Sequence, residues 1–204
     1  MAAIFHFTHG RNLPAVLSAG ELQCHGSAAT VVDVADSSIK SRRTTIAVGC
    51  GPGGVVGGYV PFYFAPRSPM LFRLHREHAE GHGDGQRALV YLVATTERLV
   101  EAGLQCMFSD GNAAHGVTRF SADLAEMTDR VDWELMDAVI WANTPEDGDR
   151  VRRRQAEFLV HGAVPLALIE GLGVIDETVR SRVQALLDQA DSSLPVTIRP
   201  DWYF

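Results

Sequence analysis

The order of local patterns constrains this chain most: short strand patterns and short helical patterns follow one another with no regular alternation. Strand-like stretches occupy residues 2–8, 21–24, 59–64, 88–95, 105–109, 157–161, 171–175 and 196–199. Helical patterns occupy 12–20, 68–75, 96–102, 119–128, 132–140 and 176–190, with a polar turn or helix at 37–43 and a helical turn at 164–169. In the first helix Asn12 is placed to cap, Pro14 sits in the first turn and Gly20 stops it. Six glycines and one proline within residues 49–58 make that stretch a loop. Residues 77–87 form a polar connection, 110–112 a turn and 143–149 a loop. A strictly alternating chain would build a parallel, doubly wound sheet; this irregular order predicts the α+β class. With 204 residues, no internal repeat and no dividing linker, a single domain spanning 1–204 is expected.

Hydrophobic residues make up 46% of the chain, enough for a substantial core. No apolar run approaches the roughly 20 residues that span a bilayer, so no membrane partner is expected. The first residues, Met-Ala-Ala-Ile-Phe-His, lack a basic segment followed by a long apolar one, and a cytoplasmic location is expected. Cys24, Cys50 and Cys106 are odd in number and far apart, the pattern of reduced thiols, neither a disulfide framework nor a zinc site.

The net charge of −7 argues against a nucleic-acid partner until its distribution is considered. Nine acids and one arginine, Arg130, lie between Ser121 and Asp149, and Arg150-Val-Arg-Arg-Arg154 follows at once. Lys40 is the one lysine, so nearly all positive charge is guanidinium, the better fork for phosphates and base edges. Arg150, Arg152, Arg153 and Arg154 could grip phosphates or stack on unpaired bases; a solvated helix face balanced by the preceding acids is the other reading. Glu157 opens the apolar run Glu-Phe-Leu-Val. A carboxylate at a strand end can orient one ligand hydroxyl, or it can be a surface partner of Arg153 or Arg154.

His6 and Thr8 project to one side of the first strand, where they could meet a ribose or carboxamide or form a plain edge pair. Arg42 and Arg43 precede the glycine-rich loop, which fits neither standard nucleotide-loop pattern. His75, His78 and His82 lie near Glu77, Glu80 and Asp84, but no cysteine or ordered outer partner supports a metal site, and no metal is expected. Asp201-Trp-Tyr-Phe204 reads as a plug for the core.

Together these segments resemble one family. Ile4-Phe-His-Phe-Thr-His9 with Asn12-Leu, Ile39-Lys-Ser-Arg-Arg43, Gly53-Gly, Tyr59-Val-Pro-Phe-Tyr-Phe-Ala-Pro-Arg-Ser-Pro-Met-Leu71, Phe108-Ser-Asp110, Arg154-Gln-Ala-Glu-Phe-Leu-Val160 and Asp201-Trp-Tyr-Phe204 are similar to the DarT toxins, in that family's order. The resemblance implies the ADP-ribosyltransferase fold, two packed, mostly antiparallel sheets with peripheral short helices and NAD in the cleft. It implies transfer of ADP-ribose from NAD, used as cosubstrate without a metal, onto thymine or guanine in single-stranded DNA. A transferase of the same fold acting on RNA or protein, and a non-catalytic NAD-binding relative, are the alternatives. By resemblance Glu157 and Arg43 are the catalytic pair, and His6, Phe7, Thr8, Asn12, Ala15, Gln23 and Arg43 form the NAD pocket. Residues of about 111–155 correspond to the region that presents DNA, with Arg67, Arg152, Arg153 and Arg154 as expected DNA contacts. A macrodomain antitoxin is the implied protein partner. Phe5 and Phe204 stand where family members often carry tyrosine; each keeps the ring and loses a hydroxyl.

Overall fold

Leu89–Thr95 is apolar at almost every position, which requires burial on both faces, and it lies in the interior of the main sheet. The structure, a computed structural model, describes residues 2–25, 31–32, 34, 37–81 and 83–204. His82, one of the three histidines weighed for a metal, lies outside the described residues. In chain order the first half holds β1 (Ala3–His9), α1 (Leu13–Ala19), β2 (Glu21–Gln23), α2 (Ser37–Arg43), β3 (Tyr59–Tyr63), α3 (Pro69–Ala79), β4 (Leu89–Thr95) and α4 (Thr96–Glu101). There follow β5 (Cys106–Ser109), β6 (Phe120–Ser121), α5 (Met127–Arg130), α6 (Trp133–Asp137), α7 (Arg150–Arg153), β7 (Glu157–His161), β8 (Ala163–Pro165), β9 (Gly171–Val174), α8 (Glu177–Gln189) and β10 (Val196–Ile198).

The strands form an eight-stranded sheet, ordered β10-β9-β4-β1-β3-β7-β5-β6, and a two-stranded sheet of β2 and β8. Pairings are antiparallel except β9 with β10. The α+β class holds, and the two expected sheets are unequal in size. One core cluster joins Ile4, Phe62, Leu92, Phe158 and Leu172 to Val179, Val183 and Leu187 of α8. On the other side Phe5, Phe7, Leu71 and Tyr91 pack with Trp202 and Tyr203. The C-terminal aromatics do plug the core. The Tyr203 hydroxyl donates to the Leu89 and Gly173 carbonyls, and a side chain at Gly173 would lie 2.2 Å from the Trp202 ring.

Three local expectations change. Residues 119–128 do not start as a helix, because Phe120 and Ser121 extend to pair with Ser109 and Phe108. The stretch from 164 begins as a strand, because Val164 pairs with Leu22 before a 3₁₀ turn at Leu166–Leu168. The helix expected at 132–140 stops at Asp137, leaving Val139 and Ile140 exposed. In the first two, pairing partners distant in sequence override local propensity.

Candidate active site

The cleft forms where the sheet stops pairing. β1 is in register with β4 over seven residues but with β3 only at Phe5↔Tyr63. Pro61 has no N–H for a ladder, and its carbonyl accepts from His6 Nδ1 at 2.8 Å. Only a protonated Nδ1 can donate there, so the imidazole's Nε2 is left as an acceptor in the neutral ring. Burial lowers the His6 pKa to about 4, against the opposing hydrogen bond to Pro61 and with help from the Arg43 charge, so the ring is neutral at physiological pH.

A cavity of about 480 Å³ opens over this gap, within the usual range for small-molecule sites. Its walls include His6, Phe7, Thr8, Asn12, Ala15, Gln23, Arg43 and Glu157, the whole set expected for the pocket and the catalytic pair. The strands supply their residues by alternation: Tyr59, Pro61 and Tyr63 of β3 point to one face, and all three line the cavity. Tyr63 lies opposite Glu157 in the ladder and stacks on Phe7, with ring centroids 6.0 Å apart. Burial, then the Glu157 charge, holds the Tyr63 hydroxyl well above its usual pKa, so it stays protonated.

Asn12 stands at the N-cap position of α1 but does not cap it as expected. Its side chain makes no capping bond; its amide donates to Thr8 Oγ1 at 3.0 Å and to the Val32 carbonyl at 2.8 Å. Its carbonyl oxygen accepts from the N–H groups of Val31 and Val32, both at 2.9 Å. One buried side chain therefore ties β1 to a wall of the cavity.

Glu157 opens β7 and is 2% exposed. Arg43, last residue of α2, donates Nη1 to its Oε1 at 3.1 Å and its Oε2 at 2.9 Å. The Ala113 N–H donates to Oε1 at 3.0 Å. Charge-assisted donors of this kind fix the orientation of a carboxylate. Arg43 Nη2 is buried and has no hydrogen-bond partner among the described residues. A buried donor left unmatched is costly, so this nitrogen is suited to an acceptor on a ligand. Lys40, Met70, Arg73, Asn112 and Gln155 also line the cavity and were missed from sequence. Gln155, two residues before Glu157, and Tyr63, in alternation with Tyr59, carried the signals that could have found two further wall residues.

The four arginines expected on DNA lie elsewhere. Arg67 donates to the Tyr203 carbonyl and stands over the Phe204 ring, 5.2 Å from its centroid. Arg152 binds Asp149 and Asp110, and Arg153 binds Asp132 and Asp147. Arg154, 5% exposed, donates to the main-chain carbonyls of Arg67, Leu135, Met136 and Ala138. Two of its three nitrogens, Nε and Nη1, are thus spent on carbonyls inside the fold. Among the described residues no group of three or more His, Cys, Asp or Glu is placed to hold a metal ion. His78 Nδ1 instead meets the Gly83 carbonyl, and His75 Nδ1 meets Gln86.

Comparison with known proteins gives this cleft its context. The solved structure of Thermus sp. 2.9 DarT in complex with ADP-ribosylated ssDNA superposes with a TM-score of 0.92 at 37% identity, covering 100% of this chain and 96% of that one. The same protein in complex with NAD+ gives 0.88 at 35% identity, covering 100% and 98%. A DNA ADP-ribosyl transferase of Thermus sp. (strain 2.9) is 39% identical over 204 residues, 98% of this chain and 95% of that one. More distantly, a DNA ADP-ribosyl transferase-DNA ADP-ribosyl glycohydrolase fusion protein of Thermosipho africanus is 25% identical, and this chain covers 49% of it. The fold is that of an ADP-ribosyltransferase. The family described as "DarT: ssDNA thymidine ADP-ribosyltransferase" matches residues 5–204, and the chain belongs to it.

Proposed function

We propose that this chain is an NAD-dependent DNA ADP-ribosyltransferase that modifies thymine in single-stranded DNA and releases nicotinamide. The observation that carries the reading is the buried carboxylate of Glu157, held by Arg43 and Ala113 on the wall of the cavity that His6, Thr8 and Asn12 also line. Glu157 accepts a hydrogen bond from a ribose hydroxyl of NAD and stabilises the positive charge that grows at the anomeric carbon. His6 and Thr8 meet the nicotinamide side, and Asn12, Ala15 and Gln23 wall the rest. The bond from ribose to nicotinamide breaks with its electron pair leaving on nicotinamide. A base nitrogen then bonds to the same carbon and gives up its proton to water. The free Nη2 of Arg43 holds an acceptor on the NAD phosphate or on the incoming base. An unpaired base reaches such a recess without the cost of extrusion from a duplex.

The choice of thymine rests on the description of the family, and the enzyme's role as a toxin rests on the same membership. The fused glycohydrolase of the Thermosipho africanus relative supports a partner that removes the modification, a macrodomain antitoxin. No helix among the described residues is long and apolar enough to cross a membrane, and we place the reaction in the cytoplasm, where NAD and DNA meet. Arg67 and Arg153, partly exposed, are the two expected arginines still open to a DNA contact; Arg152 is treated below.

Mass spectrometry of oligonucleotide, RNA and protein panels after incubation with NAD tests the reading. A mass increase of one ADP-ribose on thymine-containing single strands is expected, and Glu157→Gln should lower the rate at least about 100-fold. Modification of RNA or protein alone, or full activity of the variant, would overturn it.

A further inference from the structure

The segment between β5 and β6 delivers the Ala113 N–H to the Glu157 carboxylate. Two side chains fold it. Ser109, fully buried, accepts from the Glu157 N–H at 3.1 Å and donates to the Gly111 carbonyl at 2.7 Å. One hydroxyl thus joins the main chain of the glutamate to the start of the loop that caps its carboxylate. Arg152 of α7 closes the other side. Its Nη1 meets Asp110 at 2.8 Å and Thr118 Oγ1 at 3.2 Å, and its carbonyl accepts from the Asn112 N–H at 3.0 Å. The contact is close enough that a side chain at Gly111 would lie 2.3 Å from Arg152 Nη1. Asp149 takes the Nε and Nη2 of Arg152, so all three nitrogens are engaged inside the protein.

We propose that Ser109 and Arg152 are positioning residues for Glu157: together they fold residues 109–118 so that the main-chain N–H of Ala113 fixes one carboxylate oxygen. The inference rests on the transferase reading, because it assigns the brace to that reaction's carboxylate. It also moves Arg152 from a DNA contact to a brace. The two roles differ in what they change. A backbone contact sets the KM for DNA and its salt dependence, whereas a brace sets kcat for both substrates.

The experiment compares wild type, Ser109→Ala, Arg152→Lys and Asp110→Asn. Transfer is measured with NAD and a thymine-containing single strand titrated separately, at several salt concentrations, and exchange of the Ala113 amide is followed by NMR. Displacement of a reacting group by a fraction of an ångström is costly, so kcat should fall about 10- to 100-fold in Ser109→Ala and Arg152→Lys, with either KM little changed. The Ala113 amide should exchange faster in both, while the salt slope for DNA stays that of wild type. Normal kcat with a shallower salt slope in Arg152→Lys would make Arg152 a DNA contact and overturn the brace. Unchanged Ala113 exchange in Ser109→Ala would overturn it as well. If Ser109→Ala does not fold, Asp110→Asn, which weakens the same ion pair at a more accessible side chain, must lower kcat and speed Ala113 exchange, or the proposal fails. Should the wild-type protein leave DNA unmodified, the transferase reading falls, and the amide-exchange comparison still decides the brace.

Discussion

Helices α2 and α7 are both short, and each carries three cations in its last turn: Lys40, Arg42 and Arg43 in one, Arg150, Arg152 and Arg153 in the other. They spend that charge differently. In α2, Arg43 reaches across the cleft to Glu157 and keeps Nη2 unmatched. In α7, Asp110 and Asp149 take Arg152, and Asp132 and Asp147 take Arg153. The acids that precede α7 in sequence thus neutralise it in space. Density of arginine alone does not mark a surface for a polyanion; the supply of nearby carboxylates decides which guanidinium stays available. Arg43 keeps its open donor on the wall of the cavity, whereas Arg153, whose buried Nε is also without a partner among the described residues, stands outside that lining.

The largest effect is expected at Arg43. Arg43→Gln removes the donor to Glu157 and the unmatched Nη2, and transfer to thymine strands should drop at least about 100-fold in a steady-state assay. Near-normal rates would erase the distinction between the two helices. Next comes Arg154, just beyond α7, whose four carbonyl acceptors would be left inside the fold by Arg154→Met. Urea denaturation should show a loss of about 3 kcal/mol, because buried acceptors without donors are expensive. A loss within error would mean that this arginine is replaceable.

His6 offers a pH test of comparable size. Its folded pKa, about 4, lies below the unfolded value of 6.5, so between those values the unfolded chain holds more protons. Stability from this group is therefore full above 6.5 and declines as pH falls toward 4, by about 3 kcal/mol in all. Denaturation across that window should be flatter for His6→Gln than for wild type; parallel curves would contradict a neutral, buried ring. The smallest change is expected from Arg153→Gln, which removes half-exposed ion pairs with Asp132 and Asp147. Its cost should be under about 1 kcal/mol, and a larger one would show that α7 depends on this arginine as well as on Arg152.

The sequence was legible where local pattern and tertiary role coincide. β1, β4 and β7 were placed to within a residue or two because their apolar runs are long enough to demand a sheet. The helix ending at Gly20 was legible because a left-handed residue, at φ 69°, stops it. The start of the stretch 119–128 was misread because Phe120 and Ser121 pair with Ser109 and Phe108 of β5, 11 and 13 positions back. Val164 was misread for a similar reason, its partner Leu22 being 142 positions away in the chain. For the site, residue types and resemblance were enough to choose Glu157, Arg43 and the pocket residues. They did not show that Asn12 bridges two walls or that Ser109 holds the glutamate's main chain.

Chemistry written into single residues and short motifs needed no coordinates: the α+β class, the candidate glutamate and arginine, and the histidine and threonine that alternate beside them. Folding alone decided whether each charged group would meet an opposite charge, a carbonyl or an open cavity. That choice depends on distances between segments separated in the chain, by 42 residues for Arg152 and Asp110 and by 114 for Arg43 and Glu157, and a guanidinium reads the same in sequence whether an aspartate, a main-chain oxygen or nothing lies beside it.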